Sequence, residues 1–195
     1  MAHYVQIPKD LNDIKQKFMF GLTKRQVVSF GIGGVLGIPL FFLTRSTLGV
    51  SGAIFPERVT ELGVNVFAGT AIKSVTVPPS VATVGAMAFS ECQYLETVRY
   101  GGKVISDRMF VRCTKLKNLT LTRNVKEIVG GCFNYCESLN QITYEGSLAD
   151  WNAVKKNTNW DSRAVDIESP LAKIQCLDGY MEYVTSTKTW KEVKA

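Results

Sequence analysis

Apolar and polar residues alternate along this chain in two different regimes. Residues 27–43 read VVSFGIGGVLGIPLFFL, seventeen positions without a charge. From about residue 58 the apolar positions instead recur at fixed intervals among polar ones. The first regime predicts a helix whose whole circumference is apolar, and the second predicts short strands that each bury one side.

At 1.5 Å per residue the uncharged run spans about 25 Å, and borrowing Gln26 and Thr44 at its ends brings it near the ~30 Å hydrocarbon core of a bilayer. Thr23 with Gln26 three residues on is a capping-box start, and Pro39 near the far end is tolerated in lipid. The pattern predicts a transmembrane helix over 27–44. Two alternatives fit less well. A buried core helix would show a polar face, and a signal peptide cleaved near Ser51-Gly52-Ala53 would not carry a leader of 26 residues before its apolar run. Lys9, Lys15, Lys17, Lys24 and Arg25 precede the run, against Arg45 and Arg58 after it, so the N-terminus is expected inside and the rest of the chain outside the cytoplasmic membrane. Ser29, Gly33 and Gly37 recur every four residues, a small-residue face that suits close approach by a membrane-helix partner, although spanning helices are Gly-rich in general. In the leader, residues 1–26, Asp10 is placed to cap a short amphipathic turn with Leu11, Ile14 and Phe18 on one side and Lys15 and Lys17 on the other.

Three motifs in this stretch, Ile7-Pro8-Lys9-Asp10, Leu22-Thr23-Lys24-Arg25-Gln26 and Gly37-Ile38-Pro39-Leu40-Phe41-Phe42, make residues 4–48 resemble the PrgI family of small membrane proteins from conjugative elements. That resemblance implies an inner-membrane subunit of a type IV secretion apparatus. The second hydrophobic segment usual in the family is missing here.

In the second regime, Phe67, Phe89, Phe110 and Phe133 are separated by 22, 21 and 23 residues. Ile72, Leu95, Leu116 and Leu139, then Val75, Val98, Leu119 and Ile142, follow behind them in a shared register. Each unit closes with apolar-x-x-apolar-x-apolar, as in Leu116-Lys-Asn-Leu119-Thr-Leu121, where the last positions alternate as a strand does. One unit cannot bury its own apolar residues, but stacked units share a core, so the period predicts a solenoid. The segment from Ser80 to Cys92 with Leu95-Glu-Thr-Val98 resembles the BspA-type leucine-rich repeats of surface proteins, and the frame recurs with Cys113 and Cys136. Thr70 stands at the cysteine position of the first unit, and Ser106 at the usual glycine of the third.

Four units cover 58–144, after a linker over 45–57. Residues 145–195 are expected to close the open end of the array: Ser147 with Asp150 is a helix-start signature, Leu148, Trp151 and Val154 face the last repeat, and Asp178-Gly179 marks a hairpin between strands at 174–177 and 180–184. The resulting fold class is an N-terminal transmembrane α-helix followed by a β-rich leucine-rich-repeat solenoid of BspA type with a C-terminal helix and hairpin cap. The BspA resemblance extends to about residue 165.

Charge and chemistry narrow the function. Of a net charge of +6, +4 lies before Ala53, a membrane-flanking bias with no basic stripe on the folded body, so no nucleic-acid partner is expected. The single histidine, His3, lies in the leader, which removes histidine-dependent catalysis and metal ligation; no cofactor, metal or catalytic constellation is predicted. Cys92, Cys113 and Cys136 share one repeat position and are expected to stack as small apolar core residues, with Cys132 pointing elsewhere. A protein-interaction surface remains. Thr76, Arg99, Thr120 and Thr143 should align across the concave sheet, with Ser74, Thr97, Asn118 and Gln141 in the neighbouring row. The same residues are also ordinary strand formers on a solvated face, and both readings stand. The expectation is a single-pass membrane protein presenting a non-catalytic repeat module to a protein partner outside the cell. The other reading is a conjugation-apparatus subunit carrying acquired repeats.

Overall fold

A computed structural model describes residues 52–55, 58–163 and 169–195. The spanning helix expected over 27–44, the leader, and Ser29, Gly33 and Gly37 lie outside the described residues. Among the described residues no helix is long and apolar enough to cross a membrane.

Each repeat closes on a strand whose alternate residues turn inward. These strands are β1 (Ala53–Ile54), β3 (Ser74–Val77), β5 (Thr97–Tyr100), β7 (Asn118–Thr122) and β9 (Gln141–Glu145), and they pair in parallel in that order. Val75, Val98, Leu119 and Ile142 point into the core with Val77, Tyr100, Leu121 and Tyr144, all at most 2% exposed. A strand of four residues fixes few contacts by itself; what holds these in register is that a slip of one residue would turn every apolar side chain to solvent.

A second ladder runs along the other flank, which the strand pattern alone did not reveal. β2 (Glu61–Leu62) pairs with β4 (Thr83–Val84), while β6 (Val104–Ile105), β8 (Glu127–Ile128) and β10 (Lys155–Lys156) form a three-stranded parallel sheet. Two-residue strands carry too little alternation to register as a period.

Between the flanks, the phenylalanines form a column. The rings of Phe67 and Phe89 lie 5.4 Å apart and 4° from parallel, Phe89 and Phe110 5.6 Å and 9°, Phe110 and Phe133 6.1 Å and 8°. Each such pair adds about 1 kcal/mol beyond the area it buries. Phe55 meets the first ring edge-on at 5.5 Å.

The turns that carry the column adopt left-handed backbone at two fixed places. Asn65, Met87, Arg108 and Gly131 hold the first, and Gly69, Glu91, Arg112 and Tyr135 the second, with φ between 49° and 73°. Glycine adopts that region freely, whereas other residues are strained there by about 1–2 kcal/mol. Gly85 is required for a different reason: a Cβ there would lie 2.5 Å from the Val64 nitrogen of the preceding coil. Ser106, at the matching place one coil later, turns its hydroxyl to donate to the Val84 carbonyl.

After β9 the period breaks for α1 (Leu148–Ala153), started by Ser147 and the capping box with Asp150, then resumes. β10 continues the short ladder, Asn159 repeats the left-handed turn, and β11 (Lys173–Gln175) pairs in parallel with β9. Leu171-Ala-Lys-Ile174-Gln-Cys176 is the same apolar-x-x-apolar-x-apolar signature, 32 residues beyond Leu139. By its turn hydrogen bond, Ser162 donating to Asn159, this coil places Asp161 where the others have phenylalanine. Asp161 accepts from the Trp190 indole and pairs with Arg163, both at 3.0 Å.

The hairpin corrects two expectations. β12 (Gly179–Val184) pairs antiparallel with β11 and with β13 (Thr189–Lys194), so it lengthens the sheet to eight strands instead of lying over its end. The reversal between β11 and β12 is centred on Leu177-Asp178, because Cys176 N–H donates to the Gly179 carbonyl, and Gly179 already belongs to β12. Asp178 leaves the turn to accept the backbone N–H of Leu148 at 2.7 Å, fastening the hairpin to the start of α1.

Candidate interaction face

The eight residues singled out on the strands come together on one side of the large sheet. Ser74 lies opposite Thr97, and Thr97 opposite Asn118; Thr76 lies opposite Arg99, Arg99 opposite Thr120, and Thr120 opposite Thr143. Gln141 neighbours Lys173 in the first row, and Thr143 neighbours Gln175 in the second. Neighbouring members of a row are therefore about 4.8 Å apart. Thr76, Thr97, Arg99, Asn118 and Thr143 are exposed, and Ser74, Thr120 and Gln141 half-buried.

Both rows run further than the repeat alignment reaches. The first continues through Lys173 and Glu182 to Lys191, the second through Gln175 and Tyr180 to Val193. Lys173 holds its ammonium 4.2 Å from the Tyr180 ring centre. The LxxLxL signature at Leu171 carries the signal for Lys173 and Gln175, but the inserted helix hides it from a search at constant period.

The single charge expected on the face is matched by an acid that strand spacing did not single out. Arg99 donates to Glu145 at 2.8 Å, and Asn118 donates to the Thr97 hydroxyl at 3.3 Å. Over the repeat strands the face is thus a lattice of hydroxyl and amide groups crossed by one ion pair, and Lys173, Glu182 and Lys191 add charge where the first row continues.

The cysteine ladder lies behind this face. Sγ of Cys92 donates to the Phe67 carbonyl, Cys113 to Phe89 and Cys136 to Phe110, each at 3.1 Å. Thr70 fills the position in the first coil, where its hydroxyl donates at 2.8 Å to the Phe67 carbonyl of its own coil. The position therefore selects a small side chain able to donate to a phenylalanine carbonyl, of the preceding coil for the three cysteines, and apolar size is only part of the reason for cysteine. Cys132 is also fully buried, contrary to expectation, in the column of Ala88 and Met109 just before the phenylalanines. Burial pushes the Cys132 thiol upward, Cys136 to about 12 and Cys176 to about 11. The hydrogen bond shared with Cys92, together with burial, pushes Cys113 upward as well. Among the described residues no group of three or more His, Cys, Asp or Glu is arranged to hold a metal ion.

Near the cap, burial pulls Lys156 down to about 8 while its ammonium donates to the Trp151 and Val154 carbonyls at 2.6 and 2.8 Å. Backbone and side-chain bonds from Ser147, then Arg123, hold the Asp150 carboxyl below its usual range. These groups close off α1 and none lies on the sheet face.

Comparison with known proteins gives one family. The profile described as "BspA type Leucine rich repeat region" matches residues 45–157 in six copies. No curated protein matches the chain. Among solved structures, a leucine rich cell surface protein from Faecalibacterium prausnitzii A2-165 is 23% identical, with a TM-score of 0.42 over 55% of this chain and 35% of that one. A leucine-rich repeat protein from Bacteroides ovatus ATCC 8483 is 21% identical, with a TM-score of 0.46 over 66% of this chain and 43% of that one. The chain therefore spans well under half the length of either structure.

Proposed function

Because the chain belongs to the BspA-type leucine-rich-repeat family, we propose that it is a membrane-anchored, non-catalytic interaction module that holds a protein partner against the outer face of its eight-stranded sheet. Residues 27–44 anchor it, with the N-terminus inside and the repeats outside the cytoplasmic membrane. Ser29, Gly33 and Gly37 offer a packing face to a second membrane helix.

The observation that carries this reading is the register of the two polar rows, Ser74–Thr97–Asn118–Gln141 and Thr76–Arg99–Thr120–Thr143, in line across the sheet with five of the eight side chains exposed. Solenoids bind partners through extended surfaces of this kind, and short strand side chains lose little rotamer freedom on contact.

Two measurements test it. A C-terminal tag should be lost to external protease in intact, wall-stripped cells while a cytoplasmic control survives; protection of the tag overturns the display. A photo-crosslinking residue at Thr143 should trap a protein partner that the same residue at Glu61, on the far ladder, does not; equal trapping from both positions overturns the face.

A further inference from the structure

The polar sheet face is not where this molecule exposes its aromatic side chains. Among the described residues only six large apolar or aromatic side chains are exposed, and two of them, Tyr94 and Tyr135, belong to the turns that follow the phenylalanine column. They are about half exposed, at 51% and 48%. The third coil reaches both. Its Lys115 lies back over Tyr94, 4.9 Å from the ring centre, and its Arg112 lies forward over Tyr135 at 5.7 Å.

The backbone adds an independent observation. Glu91, Arg112 and Tyr135 occupy the left-handed position, at φ of 58°, 61° and 60°, that Gly69 fills in the first coil. Glycine at this position avoids the strain, yet three successive coils carry long side chains projecting from it. All three side chains are exposed, so burial in the core does not offset that strain. Arginine and tyrosine are also the side chains over-represented among binding hot spots.

Charge selects the partner. Glu96 pairs with Lys117 at 2.9 Å, and Lys73 and Lys115 lie close enough to hold the same carboxylate low. Arg112 in turn pairs with Glu91 at 3.8 Å, so four cations here face two carboxylates and the ridge keeps a positive excess. Lys115 has no carboxylate within ion-pair distance among the described residues, only the Tyr94 ring.

We propose that the ridge formed by Tyr94, Arg112, Lys115 and Tyr135 is a docking surface for an acidic protein segment carrying aromatic or apolar side chains. The cation over each tyrosine fixes the ring before binding, which lowers the ordering cost of association. It also occupies a ring face that a sugar would need for stacking, so a protein partner is favoured over a glycan. The inference rests on the interaction-module reading and adds to the sheet face a second contact surface on the turn ridge.

The test uses the full chain in a nonionic detergent and an immobilised random copolymer of glutamate and tyrosine, with dextran sulfate as the non-protein polyanion. The expected result is saturable binding to the copolymer that weakens at least tenfold in the double variant Tyr94→Ala/Tyr135→Ala. The exposed charge reversal Lys115→Glu should weaken it equally, with circular dichroism unchanged for both. Glu61→Gln, on the far ladder, should leave it within twofold. Absence of copolymer binding overturns the ridge, as does binding unaffected by the tyrosine variants, or dextran sulfate binding as tightly with the same dependence on Lys115. If Thr143→Arg alone abolishes copolymer binding, the ridge fails and the sheet-face reading stands.

Discussion

Arg99 on β5 reaches diagonally across β7 to meet Glu145 at the end of β9, 2.8 Å from guanidinium nitrogen to carboxylate oxygen. The two are 46 residues apart in sequence. Thr122, on the intervening strand and opposite Glu145, is only 8% exposed. The pair thus lies across the rows of the sheet face and neutralises the one charge among their eight repeat-strand positions.

Because both partners are more than a third exposed, this pair is expected to matter little for stability. Arg99→Ala should lower the unfolding free energy by no more than about 0.5 kcal/mol, measured by urea denaturation. A loss above about 2 kcal/mol would mean the pair organises the sheet.

Gly85 and Gly63 give opposed expectations for one chemical change. A methyl group at Gly85 meets the Gly63 carbonyl carbon at 2.6 Å as well as the Val64 nitrogen, while at Gly63 it meets nothing within 4 Å. Gly85→Ala should cost about 1–3 kcal/mol by forcing adjacent coils apart. Gly63→Ala should be neutral within about 0.5 kcal/mol. Thermal melts of the two variants compare them directly.

Arg108 is exposed and left-handed at φ 49°, in the slot that Gly131 fills one coil later. Arg108→Gly should therefore stabilise the fold by about 1 kcal/mol, net of the entropy that glycine adds to the unfolded chain. A rise of roughly 2–4 °C in Tm is the expected reading, and a fall would show that the arginine makes a compensating contact.

The buried thiols set an alkaline limit. In the unfolded chain a cysteine ionises near its ordinary value of 9.0, whereas Cys136 in the fold keeps its proton to about 12. Above pH 9 the native state therefore holds a proton that the unfolded state has released, and stability falls as pH rises towards 12, by about 1.4 kcal/mol per pH unit for that thiol. Cys136→Ser retains a donor to the Phe110 carbonyl and cannot titrate there. Between pH 8 and 10.5 under reducing conditions, the wild-type chain should lose about 2 kcal/mol more than the variant. Equal losses would contradict burial of the thiol.

The parts of this fold legible in the sequence are those where one physical constraint repeats at a nearly constant interval. Phe67, Phe89, Phe110 and Phe133 announce the column because every coil must fill the same cavity, and Val98 or Leu119 announce the strands because the inner side of a sheet admits only apolar residues. Ser147 and Asp150 announce α1 because helix ends must satisfy their own backbone groups locally. The eight polar positions of the sheet face follow from the same alternation. What the sequence left open depended on neighbours distant in the chain. The two-residue strands of the second ladder exist only because adjacent coils supply their hydrogen bonds. The fifth coil was hidden by the inserted helix until β11 paired with β9. Asp178 belongs to a turn by propensity, but the open N–H of Leu148 draws its carboxylate to the start of α1. Likewise, nothing local pairs Lys115 with Tyr94 or Arg99 with Glu145. Those contacts arise because the solenoid sets residues one or two coils apart side by side. Periodicity thus determined which residues share a level of the stack, and tertiary packing decided which of them touch.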